Sequence, residues 1–206
     1  MIESAMTDLA RWDARYSAPG YLFGTEPNSF LKEQAPRLKA GEIALAIADG
    51  EGRNGVWLAE QGLKVVSIDF SPIALEKARR LAAARGVTIQ TVQVDLAHWA
   101  WPSAAFDVIV AIFIQFAGPA LRKQIFDGIR QALRPGGLLL MQGYRPEQLA
   151  YGTGGPSEPD NLYTHALLEE SFADFSSLEI REHDSMIREG SAHAGMSALI
   201  DLIACK

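Results

Sequence analysis

Ala44-Leu45-Ala46-Ile47-Ala48-Asp49-Gly50-Glu51-Gly52-Arg53-Asn54 decides how this chain is read. An apolar run over residues 43–48 stops at Asp49-Gly50, as a strand buried on both faces does before a turn. Residues 52–61 then place Val56, Leu58 and Ala59 on a helical spacing, and Gly62 ends the run. Strand, glycine turn and helix follow one another without a linker. Residues 50–55 also spell a literal G-x-G-x-x-G, a weak signal when alone. Glycines there allow positive φ and close backbone approach, and the helix start offers unpaired amides.

Working outward, residues 64–70 form a second apolar strand, and Ser71-Pro72 supplies an N-cap followed by proline for a helix closed at Gly86. Residues 88–95 and 107–116 read as the third and fourth strands, joined through a Trp-rich loop in which Trp99 and Trp101 are packing residues. Pro119 starts a helix that Arg134-Pro135-Gly136-Gly137 breaks before a fifth strand over 138–144. After a short helix around 167–172 come two strand-like runs, 178–188 and 197–205, that make a hairpin. The expected fold is α/β: a Rossmann-like, doubly wound, mostly parallel seven-stranded sheet finished by a C-terminal antiparallel hairpin strand. The expected organisation is one domain over 1–206, with an N-terminal arm or lid over 1–40 and the core over 41–206.

The bulk numbers narrow the partners. A formal charge of -6 with 19 Lys and Arg against 25 Asp and Glu argues against nucleic acid. No run is long and apolar enough to suggest a membrane span, and the opening residues lack a signal-peptide core. The lone Cys205 excludes an intramolecular disulfide, which suits a cytoplasmic location. No metal-ligand cluster is expected, and the oligomeric state is left open.

Asp69 ends the second strand 19 residues after Gly50, the spacing at which an acid holds ribose hydroxyls. That spacing points to an adenosine-type ligand and leaves a nicotinamide dinucleotide and S-adenosyl-L-methionine both open. The C-terminal hairpin and the absence of Tyr-x-x-x-Lys speak against a nicotinamide-dependent oxidoreductase.

The glycine turn, Val65-Val66-Ser67-Ile68-Asp69 and Ala132-Leu133-Arg134-Pro135-Gly136-Gly137 together resemble class I S-adenosylmethionine-dependent methyltransferases. The opening Trp12-Asp13-Ala14-Arg15-Tyr16 and residues 21–28 resemble the branch of tellurite-resistance and thiopurine methyltransferase-like proteins. The resemblance implies a transferase that uses S-adenosyl-L-methionine on a small-molecule substrate, a thiol or a chalcogen oxyanion among them. It implies that Ala48, Gly50, Gly52 and Asn54 carry the methionine portion and that Asp69 holds the ribose with Phe70 beside the adenine. Asp95 would meet the adenine amino group, Leu96 would line its pocket, and residues 112–115, Ile112 and Gln115 among them, would line the sulfonium side.

The family usually has an acid in place of Ala46 and a glycine in place of Ala48, a departure that favours a cofactor-binding protein without turnover as the non-enzyme alternative. An alanine at 48 still allows close approach where its φ is negative. The arm residues Trp12, Tyr16, Tyr21 and Phe23 are expected to close over the pocket. Tyr16, Tyr21, Tyr144, Arg145 and His193 are the acceptor-side candidates, Gln148 stands near them, and His165 or His193 would serve as base for a hydroxyl or amine. The Gly/Pro-rich stretch between Tyr144 and Tyr163 is read as an acceptor flap.

Overall fold

The computed structural model describes residues 2–190 and 193–206; the side chains of residues 2–7 and of His193 lie outside the described residues. Along the chain run α1 (Ile2–Tyr16), α2 (Ser29–Glu33), β1 (Ile43–Ile47), α3 (Arg53–Glu60), β2 (Lys64–Asp69), α4 (Pro72–Ala84) and β3 (Gln90–Gln93). Then come β4 (Phe106–Ile112), α5 (Pro119–Ala132), β5 (Leu133–Tyr144), α6 (Gln148–Tyr151), α7 (His165–Ser171), β6 (Ser177–Glu189) and β7 (His193–Cys205). They build one seven-stranded sheet in the order β3-β2-β1-β4-β5-β7-β6. The first five strands pair in parallel, and β7 runs antiparallel to both β5 and β6. The expected fold class is the one observed.

Because β1, β4 and β5 are buried on both faces, helices cover each side. One apolar cluster joins Leu45, Ile68, Ile109 and Met141 to α5 and α7; the other joins Ala44, Val65, Val110 and Leu140 to α2, α3 and α4. Ser71 caps α4 by accepting from the Ala74 N–H, with Pro72 in the first turn, as the sequence predicts. Trp99 and Trp101 pack together with ring centroids 4.5 Å apart, and Trp101 lies on Gly128, where a Cβ would come within 2.2 Å of the indole.

Three elements depart from the sequence reading. The fourth strand stops at Ile112, four residues early, because Phe113 takes a left-handed φ of 54°. The fifth begins at Leu133 instead of 138, since Leu133 already pairs with Phe106 and the register shift before Val108 absorbs the Pro-Gly-Gly segment. The arm opens with α1, a helix lying against α4.

Candidate functional site

The bend after β1 is built by backbone conformations that few residues tolerate. Gly50 has φ 58° and Gly52 φ 88°. Ala48 has φ 47°, which corrects the expected negative value: an alanine occupies a left-handed position that glycine fills without strain. The Gly50 N–H donates to Asp69 Oδ2 at 2.8 Å, and the Ser71 N–H donates to Asp69 Oδ1 at 2.9 Å. The bend and the strand-end carboxylate therefore converge. Burial raises the Asp69 carboxyl above its usual range against the opposing pull of those N–H donors.

Asp49 does not face this point. Its carboxylate accepts from the Gly55 N–H at 3.1 Å and from the Ser67 hydroxyl at 2.7 Å, tying the start of α3 to β2. Burial pushes its pKa up to about 7.

Over the bend lies Tyr16, only 5% exposed. A Cβ on Gly50 would sit 2.9 Å from its hydroxyl, so the phenol occupies the hollow the glycine leaves. Trp12 stacks on Tyr16 with centroids 5.6 Å apart, and Phe23 meets it edge-on at 6.4 Å. Burial, then the nearby Asp69 and Glu51, raises the Tyr16 pKa and keeps the phenol protonated. The arm is fastened through the bend itself. Glu51, 3% exposed, accepts from the Leu22 N–H at 2.6 Å and pairs with Lys77 Nζ at 2.8 Å. Lys77 also donates to the carbonyls of Ala18 at 2.9 Å and Gly20 at 2.7 Å.

The other expected residues are distributed unevenly. Asn54 accepts from the Asn28 N–H at 2.9 Å, at the start of α3. Phe70 follows Asp69 and is half-buried. Asp95 accepts from the Ala97 N–H and meets His98 Nδ1 at 2.8 Å, while Leu96 is buried in the cluster that contains Ile47 and Ile68. Ile112 ends β4 opposite Gln142. Gln115 is a clamp: it accepts from the Tyr144 N–H at 2.6 Å and donates to the carbonyls of Tyr144 at 2.9 Å and Asn161 at 3.1 Å. Tyr21 lies toward α4, its hydroxyl 3.4 Å from the Lys77 carbonyl. Tyr144 stacks on Phe113 at 4.7 Å, and burial followed by the Glu189 charge raises its pKa. Arg145 pairs with Asp184 and Glu147, away from the bend. His165 reaches Glu169 at 3.9 Å on α7, exposed. The flap is fastened as well: Gln148 accepts from the Ala198 N–H at 2.9 Å, and the Thr153 hydroxyl donates to the Met196 carbonyl.

A buried polar chain was not foreseen in the sequence. Asn28 Nδ2 donates to Gln142 Oε1 at 2.7 Å and to Glu189 Oε1 at 2.9 Å; Gln142 Nε2 donates to Asp201 Oδ1 at 2.6 Å. Asp201 Oδ2 meets His183 Nε2 at 3.0 Å, and His183 Nδ1 meets the Ser185 hydroxyl at 2.7 Å. At its other end Arg53 Nη2 pairs with Glu189 Oε2 at 2.5 Å, both side chains buried. The signal was present: Gln142 and Asp201 each interrupt an apolar strand, and the strands pair them directly. Two clefts of about 230 Å³ each open beside this chain, between α2 and the β6–β7 hairpin.

Residues 44–137 match a family described as a methyltransferase domain. The chain carries a class I methyltransferase domain. Its cofactor is S-adenosyl-L-methionine. The chain is 33% identical over 110 residues to the demethylmenaquinone methyltransferase of Thermus thermophilus, covering 52% of this chain and 50% of that one. It is 32% identical over 141 residues to the glycine/sarcosine N-methyltransferase of Halorhodospira halochloris, covering 65% and 48%. The chain thus spans about half the length of these curated relatives. Among solved structures, TehB from Haemophilus influenzae superposes with a TM-score of 0.70 at 16% identity, covering 96% of this chain and 66% of that one, a likeness of fold. The domain and the bend agree on one cofactor: left-handed glycines at a helix start and a carboxylate within reach of the same amide form a donor and acceptor set suited to an aminoacyl nucleoside. Among the described residues no helix is long and apolar enough to cross a membrane, and no cluster of metal-ligating side chains occurs.

Proposed function

We propose that this protein, as a single domain over 1–206, transfers the methyl group of S-adenosyl-L-methionine to a small-molecule acceptor, a thiol or a chalcogen oxyanion being the favoured classes. The observation that carries the reading is the 2.8 Å bond from the Gly50 amide to Asp69, which brings the bend and the ribose-binding acid to one point. In this reading Ala48, Gly50, Gly52 and Asn54 hold the methionine portion. Each Asp69 oxygen takes one backbone N–H and keeps acceptor capacity for a ribose hydroxyl. Phe70, Asp95 and Leu96 border the adenine; Ile112 and the Gln115 clamp shape the sulfonium side. Tyr16, Tyr21 and Tyr144 face the acceptor, with Arg145 and His193 further out.

When bound, the cofactor supplies an electrophilic methyl on a cationic sulfonium. The chain's own work is to orient and to exclude water, and alignment of this kind lowers a barrier by up to about 7–11 kcal/mol in favourable cases. Tyr16 with Trp12 and Phe23 forms an aromatic cover that must swing off Gly50 for the cofactor to dock and that then shields the site. Tyr144, kept protonated by burial, offers a neutral hydroxyl at the end of β5. A thiolate or oxyanion acceptor requires no base.

The placement in the tellurite-resistance and thiopurine-like branch rests on residues 12–16 and 21–28, and a cytoplasmic location follows from that reading. Methyl-labelled cofactor incubated with a panel of thiols, chalcogenites and phenols is the test. Label in a small acceptor supports the proposal. Tight NAD binding together with no affinity for S-adenosylhomocysteine overturns it.

A further inference from the structure

Arg53 carries a donor that the fold does not use. Its side chain is 7% exposed, and Nη2 pairs with Glu189 Oε2. Nη1 is buried and has no hydrogen-bond acceptor among the described residues. Native interiors rarely leave such a donor unmatched. A guanidinium placed only to meet Glu189 would turn both prongs of its planar fork onto that carboxylate. Here the second oxygen of Glu189 is already taken by Asn28 Nδ2 at 2.9 Å and the Ser29 N–H at 3.3 Å, so the pairing stays single-pronged.

The position of Arg53 indicates what would complete the fork. It follows Gly52 in the first turn of α3, next to Asn54. Its charge acts on Asp49 at the bend and on Tyr144 at the end of β5. We propose that Arg53 Nη1 docks a ligand carboxylate between the bend and the β5 strand end, with Glu189 fixing the guanidinium from the opposite prong. The inference rests on the methyl-donor reading and deepens it. Two sources carry that chemistry: the aminoacyl end of the cofactor, or an acidic acceptor.

Calorimetric titration separates them. S-adenosylhomocysteine and 5′-methylthioadenosine share the nucleoside and thioether, but only the first has a carboxylate. The wild-type protein is expected to bind the first at least tenfold more tightly. In R53K and R53M that gap closes while affinity for methylthioadenosine is retained, and in E189Q, which removes the competing anion, affinity for S-adenosylhomocysteine rises severalfold. If the gap survives in R53K, the acceptor source predicts that benzoate binds the S-adenosylhomocysteine-loaded wild type and not loaded R53K. A surviving gap with benzoate indifferent to Arg53 overturns the inference while leaving the cofactor reading intact. Failure of the wild type to bind either nucleoside removes the cofactor reading first. R53K keeps the charge at Glu189, so the result does not depend on R53M folding.

Discussion

The glycine bend after β1 and the polar chain beyond β5 both set polar groups into an apolar sheet, but they recruit partners over different distances. Gly50 meets Asp69 across 19 residues, whereas Gln142 meets Asp201 across 59 and Arg53 meets Glu189 across 136. The bend is stabilised by backbone conformation and needs one strand-turn-helix unit. The chain beyond β5 exists only when α2, β5, β6 and β7 have all assembled. Substitutions at the bend should therefore act locally and strongly, and those in the chain should act through several elements at once.

The largest effect is expected for Gly52→Ala. Its Cβ would come 2.6 Å from Ala78 Cβ with φ at 88°, forcing α3 from α4. Overpacking and left-handed strain together should cost about 3–4 kcal/mol in urea unfolding; an unperturbed midpoint would show that the bend is not the rigid region.

Asp69→Ala should lower S-adenosylhomocysteine affinity by about 100-fold, two charge-assisted bonds being lost. The carboxylate is 7% exposed and serves two backbone N–H groups, so stability also falls, by about 1–3 kcal/mol. This corrects the view of that acid as a surface group with little part in the fold. Unchanged affinity by calorimetry would detach Asp69 from the site.

Asn28→Ala removes the bonds to Gln142 and Glu189 and the cap on the Leu31 N–H, so a loss of about 2 kcal/mol is expected. Hydrogen exchange should report it in α2, β5 and β7 together. Loosening confined to α2 would deny that the chain is one unit.

Asp49 sharpens the contrast through pH. Between the usual aspartate value near 3.8 and about 7 the folded form binds a proton that the unfolded form has lost. Its contribution makes stability fall as pH rises through that window and leaves it flat above. Asp49→Asn should flatten that slope in denaturation curves taken from pH 4 to 8; an identical slope would mean that the carboxyl titrates normally.

The smallest effect is a gain. Ala48→Gly relieves a left-handed alanine at φ 47°, and once the added entropy of the unfolded chain is subtracted, about 0.5–1 kcal/mol should remain.

The same contrast explains what could be read before any coordinates. Residues 44–69 announce a strand, a turn, a helix and a second strand because apolar runs and glycines act on near neighbours. Ser71-Pro72 marks α4 for the same reason. Tyr16 was marked as part of an arm, but nothing in residues 12–16 says that its ring fills the hollow over Gly50, a contact set by how α1 rests on α4. Arg53 was passed over as a helical cation, since Glu189 lies at the far end of the chain. Gln115 reads as a pocket residue by position, yet two carbonyls and an amide claim its side chain.

Lys77 is a clasp with three fixed points, the Glu51 carboxylate and the carbonyls of Ala18 and Gly20. Glu51 is itself part of the bend, so any ligand that shifts the bend tugs on the leash between α1 and α2. Trypsin nicking on that leash would act as a gauge of occupancy, readable on a gel without knowing the acceptor.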